Sequence, residues 1–343
     1  MIKLRNIAYA LLILFAIVYI LIIGKSLLIP FVLAWILWFV VRQMRKKIDS
    51  FQIMKTYVPL WIKNVFSLLV LLFAGNFIVQ IVISNISTLS YSYAEYKNNA
   101  QMLIYKIEDA FDVQVFNNLS MYFADFDFSQ VFVKVLNIST DLFGSTFMIL
   151  LYALFIFLEE ASMKIKLHKL FSDAESYIKM HTVIQNIEQS VATYLGLKTL
   201  MSVITGVLSF IVLRIVGVDS PLFWAFLIFI LNYIPTIGSL VATLFPAIFC
   251  FFQFGDFSHG FIVLGFVGLI QIVVGNILEP RMMGNAMNVS PLATIISLSF
   301  WGAIWGVTGM IVSVPIMVVI VIVFSQFEYT KPIAILLSGN GKV

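Results

Sequence analysis

The chain has little charge and almost no cysteine. Of its 343 residues only 11% are charged, against about 25% in an ordinary soluble domain. The lone cysteine, Cys250, excludes a disulfide within the chain and leaves the redox compartment unread. No nucleotide-binding P-loop is present, so work would have to be driven by ion or solute gradients. Paired aspartates and Gly-x-Ser-x-Gly, the signatures of intramembrane proteases, are both missing, and no nucleophile–base constellation replaces them. An enzyme is therefore not expected. His168 and His181 stand thirteen residues apart, with no cysteine or second histidine pair nearby, so no metal site is expected. Nothing calls for a cofactor.

Apolar residues fill the space that charge leaves. They make up 61% of the chain, 33 of them Phe, and the mean hydropathy is +1.03. A soluble fold of this size cannot hide so much apolar surface, so the partner is the lipid bilayer. The net charge of +4 and pI near 9.0 do not point to nucleic acid, because the basic residues sit between apolar segments, where they set topology.

Eight apolar segments run at about 7–23, 27–41, 60–84, 141–158, 195–217, 221–254, 261–278 and 291–325. A spanning helix needs about 20 apolar residues. Gly24 and Pro30 bracket a tight return between the first two. Lys3 and Arg5 precede the first segment, Arg42, Arg45, Lys46 and Lys47 follow the second, and Lys164, Lys166 and Lys169 follow the fourth. All three clusters fall on one side if each segment crosses once. The positive-inside rule makes that side the cytoplasm, with both termini on it.

Residues 1–84 then read as N-terminal transmembrane scaffold helices. Residues 85–140 lie outside as a helical subdomain rich in acids (Glu95, Glu108, Asp109, Asp112, Asp125, Asp127), with Met102, Tyr105, Phe111 and Val115 at helical spacing. Residues 141–194 hold the fourth transmembrane helix, closed by Glu159 and Glu160. A cytoplasmic amphipathic connection follows, with Ile178, His181, Val183, Ile184, Ile187 and Val191 on one face. Residues 195–330 form a core, and 331–343 a cytoplasmic tail.

The core carries an internal repeat. Ser220-Pro221-Leu222 recurs as Ser290-Pro291-Leu292, an offset of 70 residues. Each is followed by an apolar stretch, a glycine-containing break, a second apolar stretch and a further proline. The first break is Asn232-Tyr233-Ile234-Pro235-Thr236-Ile237-Gly238, with Pro246 beyond it. The second is Trp301-Gly302-Ala303-Ile304-Trp305-Gly306-Val307-Thr308-Gly309, with Pro315 beyond it. About 34 residues follow each Ser-Pro-Leu, too many for one crossing and few for two. A re-entrant or broken hairpin fits, and it gives the copies 195–254 and 261–325 opposite topology. Such inverted repeats with broken helices characterise secondary transporters, which hold solute near the breaks. Eight ordinary crossings are the rival layout. The expected fold is an all-α polytopic membrane protein with about six full transmembrane helices plus two hairpins.

Polar groups at membrane depth mark candidate positions. Asn232 lies at the first break, Gln271 and Asn276 on the helix before the second copy, and Glu279-Pro280-Arg281 at its end, followed by Gly284. Lys198 lies near the start of the helix before the first copy. Glu279 and Arg281 flank a proline and are placed to pair with each other or to gate access. Trp301 and Trp305 are placed either to stack on a ligand or to pack on the neighbouring half-helix. Arg214, near a helix end, is free to snorkel.

Leu231 to Gly238 and Glu279-Pro280-Arg281-Met282-Met283-Gly284 resemble signatures of the autoinducer-2 exporter family. So does the run from Ser290-Pro291-Leu292 through Phe300-Trp301-Gly302 and Trp305-Gly306 to Gly309-Met310 and Val314-Pro315. The resemblance is specific over about 195–325 and architectural before it. It implies a bacterial inner-membrane permease, a homo-oligomer, exporting a small polar solute such as autoinducer-2. Other members resemble sodium(lithium)/proton antiporters, which would make a proton or sodium a coupling partner. The repeat has few acids beyond Asp219 and Glu279, which weakens the antiporter alternative. A membrane scaffold binding partners through 85–140 is an alternative of another class, and a passive channel is a further one.

Overall fold

The computed structural model describes residues 2–50, 57–111, 128–171, 173–283 and 288–342. Among these the chain is helical throughout, with no strand. The helices are α1 (Ile2–Ile23), α2 (Lys25–Ile48), α3 (Leu60–Tyr91), α4 (Tyr93–Phe111), α5 (Phe128–Leu170), α6 (Ala174–Val216), α7 (Pro221–Leu231), α8 (Ile237–Phe254), α9 (Phe257–Ile272), α10 (Glu279–Met283), α11 (Pro291–Phe324) and α12 (Lys331–Leu337). A π-helical segment, Val273–Leu278, joins α9 to α10. Five helical stretches have the length and apolarity to cross a membrane: 25–48, 174–216, 237–254, 257–283 and 291–324. The apolar helices at 11–23, 60–73 and 221–231 are shorter. The chain is a polytopic membrane protein.

Two compact units divide the chain. One comprises 1–64, 143–195 and 285–343, and the other 65–142 and 196–284.

In the first unit, α2 buries Ala34, Trp38, Val41 and Arg45, which recur at helical spacing on one face. Arg45 is only 6% exposed, a position a guanidinium holds only when paired. It donates to Glu160 of α5 at 2.5 Å and to Asn64 at 2.8 Å, while the Trp38 indole donates to Glu160 at 3.0 Å. Arg42 pairs with Glu188 of α6, and Lys63 with Asp49 at 2.5 Å. Glu160 is thus the hub of a charge network, whereas Glu159 makes an exposed pair with Lys166.

The connection expected over 161–194 is not a separate element. α5 continues through the apolar stretch to Leu170, and α6 runs unbroken for 43 residues, about 65 Å. Between them Asp173 caps α6 by accepting from the Ser176 N–H at 2.8 Å. Propensity is high across the polar stretch, so nothing there ends a helix once the turn is made.

The same unit contains α11, which folds back on itself at Gly306, the one residue inside it with non-helical backbone (φ 62°, ψ −143°). That φ suits glycine. The Ser297 hydroxyl of the first half donates to the Ser313 carbonyl of the second at 2.9 Å. Trp301, Trp305 and Val312 form a core with Leu21 of α1 and Leu28, Val32 and Ile36 of α2.

In the second unit α7 and α8 form the other hairpin. Ser220 takes a left-handed conformation (φ 52°) at its foot, and Pro221 opens α7 with a φ already suited to a helix. α7 has 11 residues, about 16 Å, which is too short to cross about 30 Å of hydrocarbon. Trp224 and Ile228 of α7, Phe249 and Cys250 of α8, Val263 and Val267 of α9, Leu213 of α6 and Tyr96 of α4 make one core. At the close approach of α6 to α7, a Cβ on Gly206 would stand 3.2 Å from the Ala225 carbonyl oxygen. Of the outer subdomain expected over 85–140, the described part is the end of α3, α4 and the start of α5. Asp112, Val115, Asp125 and Asp127 lie outside the described residues.

Candidate functional site

The first break lies where the sequence places it. α7 ends at Leu231, and Asn232 follows as its cap. The chain then turns through Tyr233, Ile234, Pro235 and Thr236, which has φ 61°. A non-glycine residue in that region is uncommon and carries strain. Gly238 then starts α8 against the end of α7. A Cβ there would fall 1.8 Å from the Leu231 carbonyl oxygen, so only glycine closes the turn. The second hairpin uses the same device in its own unit, where a Cβ on Gly309 would fall 2.0 Å from the Trp301 carbonyl oxygen. Leu231 and Trp301 each lie ten residues after the proline that opens their hairpin.

At the first break polar side chains converge. Tyr233 shares a hydrogen bond with Thr199 of α6, oxygen to oxygen 2.7 Å. The next residue back, Lys198, donates to Glu279 of α10 at 2.6 Å. The Lys198 side chain is 8% exposed and that of Glu279 21%. A lysine ammonium so placed in an apolar helix persists only with a counter-charge, and such groups in membrane spans serve pathways or sites. Glu279 follows directly on the π-helical segment, whose widened turns are found most often at functional sites. Gln271 is buried at the end of α9, and among the described residues its Nε2 has no hydrogen-bond partner. The π segment presents Asn276 at the exposed surface, as α10 does Pro280 and Arg281.

The sequence left Glu279 and Arg281 either to pair with each other or to gate access. The structure instead pairs Glu279 with Lys198, 81 residues away. Lys198 was visible as a lone charge in an apolar helix, but its partner was not. Thr199 gave no signal, being an ordinary helix hydroxyl until Tyr233 reaches it. The other unit holds Ser290, Pro291, Trp301, Gly302, Trp305, Gly306 and Gly309. Ser290 caps α11 by accepting from the Ala293 N–H at 3.1 Å, with Pro291 at its first position. Gly302 packs on Met310, where a Cβ would stand 3.0 Å from that side chain. Trp301 and Trp305 are buried, their rings 4.7 Å apart, and the Trp305 indole donates to the Leu21 carbonyl at 3.0 Å. Both tryptophans pack against side chains of α1 and α2. Gly284 lies outside the described residues.

A second polar cluster surrounds the feet of hairpin one. Tyr96 donates to Asp219, and the Asp219 N–H donates to Gln253 at 2.8 Å. Gln253 donates to the Gly217 carbonyl at 2.9 Å, and Asn99 donates to the Gln253 carbonyl at 2.8 Å. Lys106 donates to the Gly255 carbonyl at 3.0 Å.

Comparison with known proteins gives these features a context. The AI-2 transport protein TqsA of Escherichia coli K12 is 38% identical over 199 residues, 58% of this chain and 57% of that protein. A Borreliella burgdorferi protein named only as a candidate transport protein is 34% identical over 200 residues, 58% of this chain and 55% of its own length. A sodium-lithium/proton antiporter of Halobacillus andaensis is 29% identical over 175 residues, 51% of this chain and 49% of that protein. The chain thus spans about half the length of the curated relatives it matches. The model of the AI-2E family transporters matches residues 10–328, nearly the whole chain, and the protein belongs to that family of membrane transporters.

Proposed function

We propose that the protein is a secondary transporter of the bacterial inner membrane that exports a small polar solute, with an autoinducer-2-like signal as the solute. The observation that carries this reading is the first break itself. A strained, non-helical turn at 232–236 carries Tyr233, whose hydroxyl pairs with Thr199 of α6, the residue next to Lys198 of the Lys198–Glu279 pair. Irregular backbone at membrane depth is stable only where protein buries it or it lines a cavity. Hydroxyls, an amide at Asn232 and a neutral ion pair suit an uncharged solute rich in hydroxyl and carbonyl groups.

In this reading the copies 195–254 and 261–325 are an inverted repeat, both termini are cytoplasmic, and the working unit is a homo-oligomer. The shared glycine device of the two hairpins supports the repeat, and the basic clusters support the orientation. TqsA, the relative named for AI-2 transport, supports the solute class.

The test is counterflow of labelled autoinducer-2 into proteoliposomes, with wild type, Tyr233→Phe and Asn232→Ala. Saturable counterflow in wild type that falls at least tenfold in both variants, with folded protein retained, is the expected outcome. Counterflow equal in wild type and empty liposomes, for autoinducer-2 and for other small polar metabolites alike, overturns the reading.

A further inference from the structure

The apolar half of α6 is turned inside out. Val203, Val207, Leu208 and Ile211 are exposed, while Lys198, Ser202, Thr205 and Ser209 are buried. Spacings of four, three and four residues put these polar side chains in one stripe, about 16 Å long. Polar groups in a membrane span face the protein interior or a water-filled cavity. Gly206 lies on the same face, and there α6 meets hairpin one. A Cβ on Gly206 would stand 3.2 Å from the Ala225 carbonyl oxygen and 3.4 Å from the Phe229 Cβ. One turn beyond Ser209 the stripe ends at Leu213, which is packed in one core with Trp224 and Ile228 of α7. The polar face of α6 is therefore closed by α7.

Hydrogen bonding in this seam is incomplete. Thr205 donates to the Met201 carbonyl one turn back, at 2.9 Å, as a helix hydroxyl commonly does. Ser202 Oγ and Ser209 Oγ have no partner among the described residues, and neither has Trp224 Nε1 on the facing helix. All three residues are more than nine-tenths buried. A group so placed has given up its bonds to water and gained none, which alanine at either serine position would avoid. The indole can only donate, so it calls for an oxygen, whereas each serine can donate or accept. These groups suit a state in which α7 stands off from α6. The turns around α7 fit such a movement. This helix has 11 residues, and a non-glycine residue at positive φ lies at each end, Ser220 (φ 52°) and Thr236 (φ 61°). Strain of that kind gathers at switch regions, and element ends serve as hinges.

We propose that the seam between α6 and α7 is the stretch of the solute path that leads on from the first break, and that α7 is its moving wall. When α7 parts from α6, Ser202, Ser209 and the Trp224 indole bond to the hydroxyl and carbonyl oxygens of a small uncharged solute. When α7 returns, Leu213 and its neighbours seal the far end. The inference deepens the transport reading and rests on it. The stripe begins at Lys198, beside the Thr199 that meets Tyr233 at the break.

The experiment uses the full chain in proteoliposomes, with Cys250, the lone native cysteine, replaced by alanine. A charged methanethiosulfonate reagent modifies thiols that meet water and spares those held in hydrocarbon. Ser202→Cys and Ser209→Cys are each expected to be labelled at least tenfold faster than Val207→Cys on the exposed face, and labelling stops counterflow. Ser202→Ala and Ser209→Ala are each expected to lower counterflow at least threefold without lowering the melting temperature. A hydroxyl that only packs gives the opposite pair of results, a lower melting temperature with counterflow intact. Where Ser209→Cys fails to fold, Ser202→Cys decides. Labelling at the Val207→Cys rate, or counterflow unchanged in either alanine variant, overturns the proposal. Counterflow in a chain whose seam is never labelled sinks this inference alone. Labelling of the seam with no solute in counterflow sinks the transport reading and leaves a cleft that only water enters.

Discussion

The Tyr96 hydroxyl donates to the Asp219 carboxylate at 2.6 Å, tying α4 to the turn that opens hairpin one. With Asn99 and Lys106 on the far foot of the same hairpin, α4 acts as a strap across both its ends. Burial first, and then the bond to Asp219, hold the Tyr96 hydroxyl above the ordinary tyrosine range. A raised folded value means the contribution is complete below the unfolded value, about 10. It is lost as pH rises through the folded value. Tyr96→Phe should therefore cost about 1–3 kcal/mol near neutral pH. It should also remove the alkaline weakening expected of wild type above about pH 10. Thermal unfolding against pH measures both, and faster hydrogen exchange at 217–220 and 253–255 localises the effect. An identical alkaline profile in the variant counts against the strap.

The glycines that end the two breaks should tolerate no side chain. Gly238→Ala places a methyl 1.8 Å from the Leu231 carbonyl oxygen, and Gly309→Ala places one 2.0 Å from that of Trp301. Backbone on both sides leaves no flexible group to yield, so each change should cost more than about 3 kcal/mol or prevent folding. Gly265→Ala meets nothing within 4 Å and serves as the control. Detergent gel filtration of fluorescently tagged chains separates the cases. Monodisperse Gly238→Ala protein at wild-type yield would show that the hairpin turn is not built this way.

Trp305 should matter for stability and not for flux. Its indole satisfies the Leu21 carbonyl, one of the last four of α1, which have no partner within the helix. Trp305→Phe keeps most of the packing and leaves that carbonyl bare, a loss of about 1–3 kcal/mol. A lowered melting temperature with retained counterflow is expected. Flux lost at unchanged stability would place Trp305 on the solute instead.

The hairpins were legible because their causes are local. A repeated Ser-Pro-Leu, a break and a later proline all lie within about 25 residues, and Gly238 and Gly309 fall inside the breaks. The polar residues were legible as types, since Lys198, Glu279 and Gln271 stand out in apolar helices. Their partners were not, because Lys198–Glu279 and Tyr96–Asp219 join residues 81 and 123 apart. Periodicity carries no information on which helices meet. The long α5 and α6 were misread for a related reason. Amphipathic and fully apolar stretches differ in surroundings but not in backbone, so a change of hydropathy was taken for an element boundary. That Trp301 and Trp305 meet side chains of α1 and α2 was out of reach for the same reason, since those helices lie at the far end of the chain.

The bond between Trp305 and Leu21 also sets an order of events during synthesis. Some 284 residues separate donor and acceptor. At about 5–20 residues per second, the end of α1 waits roughly 15–60 s for its partner to leave the ribosome. A bare carbonyl is not tolerated in hydrocarbon, so until then the end of α1 needs headgroups, water or the insertion machinery beside it. The end of α1 is thus locked late, and a chain truncated before residue 305 would leave it permanently open to whatever holds it in the meantime.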